Sequence, residues 1–374
     1  MGECAKLPAM SSCLSRRDFI ARTAAAAVAL AASPAVVPAA GADAEERHRL
    51  GLDNFAVRGF GWKAPQLVDY AASIGCDALF ITDLDAFESL DDGYLQSIRQ
   101  RAEGKGVHVQ VGTWSVCPTS KAFKSNRGTA DEHLALGIRT AKSLGSPVIR
   151  VVLGTWEDRL TDGGIDRHIE SLLGVLRRAR AQALDTGVKI AIENHAGDMH
   201  STELAKVIET AGTDYVGVNL DSGNALWTLE DPLDNLRNLG KYTITTSLRD
   251  SAVWLTPDGA AVAWTAMGEG QIDLTQYFEL FDQLCPGVPV HIETISGFNR
   301  EFPFLKPEFW KAWPHMPAEA FAHFLAIAAR GKAREPFHAA AGEDPKVAEQ
   351  AYERGEIERS IKYCKATLGL GRNK

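Results

Sequence analysis

Paired cysteines, a basic excess and a long apolar run are all missing from this chain of 374 residues, and each absence removes a class of function. None of its six cysteines forms a Cys-x-x-Cys pair, which argues against a zinc-thiolate site. Cys4 and Cys13 stand near the start, and Cys76, Cys117, Cys285 and Cys364 are far apart. Their spacing allows a disulfide in an oxidising compartment but demands none. A formal net charge of -8 and a pI near 5.7 argue against a nucleic-acid partner, which would call for a basic face. Beyond residue 44 no segment reads as the roughly 20 apolar residues a bilayer span needs.

The nearest thing to an apolar run opens the chain. Ser15-Arg-Arg-Asp-Phe-Ile20 precedes an alanine-rich stretch to Ala32, then Pro34 and small residues that offer Ala40-Gly-Ala42 or Ala42-Asp-Ala44 for cleavage. Residues 1–44 therefore read as a twin-arginine export signal, which predicts a periplasmic or extracellular mature protein. An ordinary N-terminal or membrane helix is the alternative, and the run is short and alanine-rich for it. Twin-arginine export carries folded proteins, which favours a cofactor loaded beforehand.

From about residue 51 strand-like and helix-like segments alternate. Strands are expected over 54–59, 77–82, 107–114, 147–153, 188–195, 215–221, 242–248 and from 288. Helices are expected over 64–74, 93–103, 131–144, 165–184, 203–211, 274–284 and 318–329. The alternation predicts an α/β chain, a (β/α)8 TIM barrel over 45–335, with a doubly wound sheet as the competitor. Pro257-Asp-Gly259 between apolar runs predicts a β-hairpin inserted after strand 7. An aromatic loop over 298–317 follows strand 8, and 336–374 reads as a helical extension packed outside the barrel.

Three of the strands stop on a carboxylate. Val188-Lys-Ile-Ala-Ile-Glu-Asn-His195 carries Glu193, Tyr215-Val-Gly-Val-Asn-Leu-Asp-Ser-Gly-Asn224 carries Asp221, and Val288-Pro-Val-His-Ile-Glu-Thr-Ile295 carries Glu293. In a parallel barrel all three emerge at the carboxyl edge, where such folds keep their active sites. Converging carboxylates repel and are costly to desolvate unless a cation sits among them, and a hard divalent ion such as Mn2+ or Mg2+ suits oxygen donors. The plainer alternative is that each acid caps a helix or pairs with an arginine at the rim.

At these residues the chain resembles the xylose isomerase-like TIM-barrel family of sugar isomerases and epimerases, from about Phe55 to Arg330. The resemblance rests on Ile192-Glu-Asn-His195, Asn219-Leu-Asp-Ser-Gly-Asn224, Gly268-Glu-Gly270 before Ile272-Asp273, and Glu293. It implies that Glu193, Asp221 and Glu293 ligate a divalent metal and that Glu193 and Glu293 form the proton-transfer pair. The family usually has His-x-Lys-Asp after strand 7. Here the segment is Ser247-Leu-Arg-Asp250, so Ser247 stands at the fourth ligand position and metal occupancy is in question.

The resemblance implies proton transfer beside a sugar carbonyl. Isomerisation, epimerisation and eliminating cleavage of 3-keto-glycosides all begin with that step, and a sugar-binding barrel without catalysis is the other reading that Ser247 motivates. His195, Trp62, Trp114, Arg249 and Arg300 are the candidates for contact with a small carbohydrate. Arg300 belongs to the aromatic loop, which reads as a lid over the site or as a contact between copies in a homo-oligomer.

Overall fold

A computed structural model describes residues 48–372, so the expected export signal lies outside the described residues. Eight parallel strands form the barrel: β1 (Leu50–Asp53), β2 (Ala78–Ile81), β3 (His108–Ser115), β4 (Val148–Val152), β5 (Lys189–Glu193), β6 (Val216–Leu220), β7 (Thr243–Thr246) and, after an inserted hairpin, β10 (Val290–Ile292). Each pairs with its neighbour in chain order, and β10 returns to β1. The seam between β7 and β10 is short. Leu248 bridges to Ile292, and the Thr246 hydroxyl donates to the Pro289 carbonyl at 3.0 Å while accepting the His291 N–H at 3.0 Å.

Helices α1 (Ala64–Ser73), α2 (Asp92–Glu103), α3 (Ala130–Leu144), α4 (Gly164–Thr186), α5 (Ser201–Ala211), α6 (Pro232–Leu239) and α7 (Leu274–Leu284) surround the sheet. Their boundaries follow local chemistry. Thr129 and Glu132 form a capping box at the start of α3, and Asp231 accepts the Leu233 N–H before Pro232 opens α6. Helix α6 is absent from the sequence-based expectations, although its Asp-Pro start and its leucines at 233, 236 and 239 are the signals that identify it.

The first expected strand is misplaced. Residues 54–60 form 3-10 turns, and the strand is the preceding Leu50–Asp53, whose last side chain accepts the Phe55 N–H. The run Leu50-Gly-Leu-Asp53 has the same form as the other acid-tipped strands, so a fourth carboxylate, Asp53, also ends an inner strand.

The insertion after β7 and a strand from the loop after β10 together form a three-stranded antiparallel sheet. Strands β8 (Asp250–Thr256) and β9 (Gly259–Thr265) are the expected hairpin, and β11 (Asn299–Phe302) from the aromatic loop pairs along β9. Helix α8 (Ala318–Ala328) buries Phe324 and Ala328 against this small sheet, with Val253, Val262, Phe302 and Phe304. It does not serve as the eighth barrel helix. That position belongs to α9 (Pro345–Ala366), expected outside the barrel, whose Ile357, Ile361 and Cys364 join the main core with Leu50, Val290 and Ile292. Among the described residues the four cysteines are free and buried, and no helix is long and apolar enough to cross a membrane.

Candidate active site

The strand-end acids meet at the carboxyl face. Asn194 locks the tips of β5 and β6 together, its amide donating to the Asp221 carbonyl at 2.8 Å and accepting the Asp221 N–H at 2.9 Å. With the tips in register, Glu193 lies opposite Asn219, whose amide donates to Glu193 Oε2 at 2.8 Å. Arg150 on β4 donates through Nε to the same oxygen at 2.6 Å and through Nη1 to the Thr113 carbonyl at 3.0 Å. Asn224 donates to Glu193 Oε1 at 3.3 Å. Every oxygen of Glu193 is therefore engaged.

Asp221 is equally committed. Its Oδ1 accepts the N–H groups of Gly223 and Asn224, capping the short helical turn 222–225, and its Oδ2 accepts the Asn224 amide at 2.8 Å. Arg249, two residues beyond Ser247 and 1% exposed, places its Nη2 between Asp221 Oδ2 and Glu293 Oε2 and bonds both. The rim-pairing alternative thus describes all three acids. Glu293 Oε1 alone among their six oxygens has no hydrogen-bond partner among the described residues.

Ser247 lies on the inner face, beside Asp53. Its hydroxyl donates to Asp53 Oδ2 at 2.9 Å and accepts from the Asn219 amide at 3.2 Å. Four carboxylates and two guanidinium groups thus share a buried layer, and the acids respond to the shortage of positive charge. Burial raises Asp53 to about 7 and Asp221 to about 6, the latter despite Arg249. Burial also pushes Glu193 up, but the guanidinium groups of Arg150 and Arg249 outweigh it and hold the carboxyl below the ordinary range.

The cleft above these groups measures about 70 Å3 and is lined by Phe55, Trp114, Glu193, His195, Arg249, Trp264 and Glu293, among others. A larger cavity of about 700 Å3 opens among Arg49, His108, Gln110 and Pro289 at the opposite end of the strands. The acids lie at the carboxyl face, so the smaller cleft is the candidate site. His195 bonds the Gly154 carbonyl through Nδ1 at 2.7 Å, and its ring meets Trp114 edge-on at 5.1 Å. Burial lowers its pKa, which leaves a neutral ring with Nε2 as the acceptor.

Two expected contact residues stand elsewhere. Trp62 stacks on Phe60 at 4.3 Å and meets the tilted Tyr70 ring at 4.8 Å, and it does not line the cleft. Arg300 sits behind the wall: Trp264 covers Arg249 at 4.2 Å, Trp227 stacks on Trp264 at 4.6 Å, and the Arg300 guanidinium lies 4.9 Å from both Trp227 and Trp156. The loop that carries Arg300 is a sheet strand rather than a free lid. The Gly268-Glu-Gly270 segment is also structural, because Asp250 accepts the N–H groups of Gly268 and Gly270 at 3.1 and 2.8 Å. A Cβ on Gly270 would fall 2.1 Å from that carboxylate, which only glycine avoids.

Among the described residues no group of three or more His, Cys, Asp or Glu side chains is arranged to hold an ion, and a guanidinium lies between Asp221 and Glu293. As arranged, the donor set does not fit a metal.

Residues 68–309 match the model of a family described as xylose isomerase-like TIM barrel. A curated relative, the 3-oxo-isoapionate decarboxylase of Pectobacterium atrosepticum, is 22% identical over 213 residues, 54% of this chain and 69% of that protein. Among solved structures, 3-keto-D-glucoside 4-epimerase from E. coli superposes with a TM-score of 0.52 at 14% identity, covering 75% of this chain and 98% of its own. The IOLI protein, solved with a bound zinc atom, superposes with a TM-score of 0.52 at 18% identity over 75% of this chain and 96% of its own.

Proposed function

This chain belongs to the xylose isomerase-like TIM-barrel family, and from that premise we propose that it is a sugar isomerase or epimerase that moves a proton at a carbon beside a carbonyl. One observation carries the reading. Of the six oxygens of Glu193, Asp221 and Glu293, only Glu293 Oε1 has no partner among the described residues, so it is the strand-end oxygen placed to act as a general base.

Glu293 Oε1 takes the proton, the C–H electron pair becomes a carbon–carbon double bond, and the carbonyl pair moves onto oxygen as an enediolate. Return of the proton to the former carbonyl carbon, with the neighbouring hydroxyl proton passing to the enediolate oxygen, gives isomerisation, and return to the opposite face of the same carbon gives epimerisation. Glu193, the other member of the expected pair, is held charged by Arg150 and two amides. A carboxylate so stabilised is a poor base and carries no proton to return, so transfer on one face by Glu293 is favoured. Trp114 offers a ring face for sugar C–H groups, and neutral His195 offers Nε2 to a hydroxyl.

The IOLI protein, solved with zinc, shows that the fold can carry a divalent cation, and Mn2+ or Mg2+ would suit carboxylates, but here Arg249 stands between Asp221 and Glu293. No step above passes through one. A second reading, eliminating cleavage of 3-keto-glycosides, is favoured by the 3-oxo and 3-keto substrates named for two similar proteins. It begins with the same proton removal. Export by the twin-arginine route, read from 1–44, completes the proposal.

The test is a panel of ketoses and 3-keto-glycosides incubated in heavy water and followed by NMR. Deuterium should enter the carbon beside the carbonyl with the native protein, and Glu293→Gln should slow entry by about 100-fold or more. Saturable sugar binding without any exchange would replace the enzyme reading with the non-catalytic binder.

A further inference from the structure

We propose that the guanidinium of Arg249 is the built-in cation of this cleft, holding the place between Asp221 and Glu293 and donating its remaining N–H groups to the substrate's carbonyl oxygen, so that the site works without a divalent metal. The inference rests on the proton-transfer reading above and names what stabilises its intermediate.

Three observations support it independently. Arg249 Nη2 satisfies two of the acids at once, while Nε and Nη1 are buried with no acceptor among the described residues. A buried donor left unpaired is costly, and on a residue that lines the cleft it points to a ligand oxygen as the missing acceptor. The arginine also has a place made for it. A Cβ on Gly223 would lie 2.5 Å from Arg249 Cδ, and Trp264 closes the other side at 4.2 Å, so the Asp-Ser-Gly-Asn segment leaves room for an arginine stem. Finally, the Ser247 hydroxyl donates to Asp53 and accepts from Asn219, and it bonds neither Asp221 nor Glu293.

The chemistry suits the part. As Glu293 removes the proton, negative charge grows on the former carbonyl oxygen, and preorganised donors in a dry site stabilise such charge. Guanidinium keeps its charge at any working pH and presents several fixed donors, which an ammonium does not. The same group anchors Glu293, so base and oxyanion donor share one reference point.

The experiment compares the native protein with Arg249→Lys and with the double variant Ser247→His/Arg249→Ala, using Mn2+ as the probe. Native protein purified without chelator should contain far less than one divalent ion per chain, show no calorimetric binding of Mn2+, and lose no proton-exchange rate after dialysis against EDTA. The double variant, with the guanidinium removed and an imidazole added, should bind one Mn2+ and show a melting temperature that rises with its concentration. Arg249→Lys keeps a cation and should remain folded and indifferent to Mn2+, with kcat down about 100- to 1000-fold, the loss typical of an oxyanion donor. One tightly held ion in the native protein, or exchange lost to EDTA and restored by Mn2+, overturns the inference and leaves the proton-transfer reading standing. Absence of exchange on every sugar would instead sink that reading, while the metal measurements still judge Arg249.

Discussion

At the scale of residues, the proposed proton transfer turns on the unpaired oxygen of Glu293 and on the Arg249 guanidinium that bonds Asp221 and Glu293. Gly223 controls the second. Gly223→Ala pushes a methyl into the arginine stem and should cost about 1–3 kcal/mol of stability by overpacking, measured by urea unfolding, with a fall in exchange rate as Arg249 shifts. Asp53 provides a pH test. Its folded pKa of about 7 lies above the unfolded value near 4, so the folded state keeps a proton that the unfolded chain has already released. Stability should therefore fall as pH rises from about 4 through 7, and Asp221, at about 6, adds to the same slope. Asp53→Asn should flatten the melting temperature against pH across that window; an unchanged slope would remove Asp53 as its source.

The elements divide into those that build the barrel and those that furnish its mouth. Helix α9 belongs to the first group because Ile357, Ile361 and Cys364 lie in the main core against β1 and β10. Ile361→Ala should cost about 2–5 kcal/mol, comparable to a barrel-core substitution, and removal of residues 345–374 should prevent folding. A tail packed loosely outside would show neither effect. The sheet β8–β9–β11 with α8 belongs to the second group. It supplies Trp264 and, through Trp227 and Arg300, a stacked wall behind it. Arg300→Ala unbraces that wall without touching the cleft lining, so it should raise KM more than it lowers kcat.

For the molecule as a whole, an acidic eight-stranded barrel with a narrow cleft at one face is suited to a small ligand rather than to a polymer. The export proposal is tested by expressing the full chain and locating it by fractionation. Replacing Arg16 and Arg17 together by lysine should hold the protein in the cytoplasm at its unprocessed length, and unchanged export would assign residues 1–44 another role.

Much of this was legible in the sequence because it depends on short-range pattern. Alternating strand and helix segments determined the barrel, and apolar runs ending on an acid determined that Glu193, Asp221 and Glu293 share one rim, since both follow from side-chain periodicity along a strand. The turn at Pro257-Asp258 determined the hairpin for the same local reason. Only the tertiary structure decided that Arg249 lies between two of those acids, that Ser247 turns to Asp53, and that α9 rather than α8 completes the ring. Each depends on groups far apart in the chain meeting in space, and a ligand position in the sequence cannot reveal which distant side chain already occupies the space beside it.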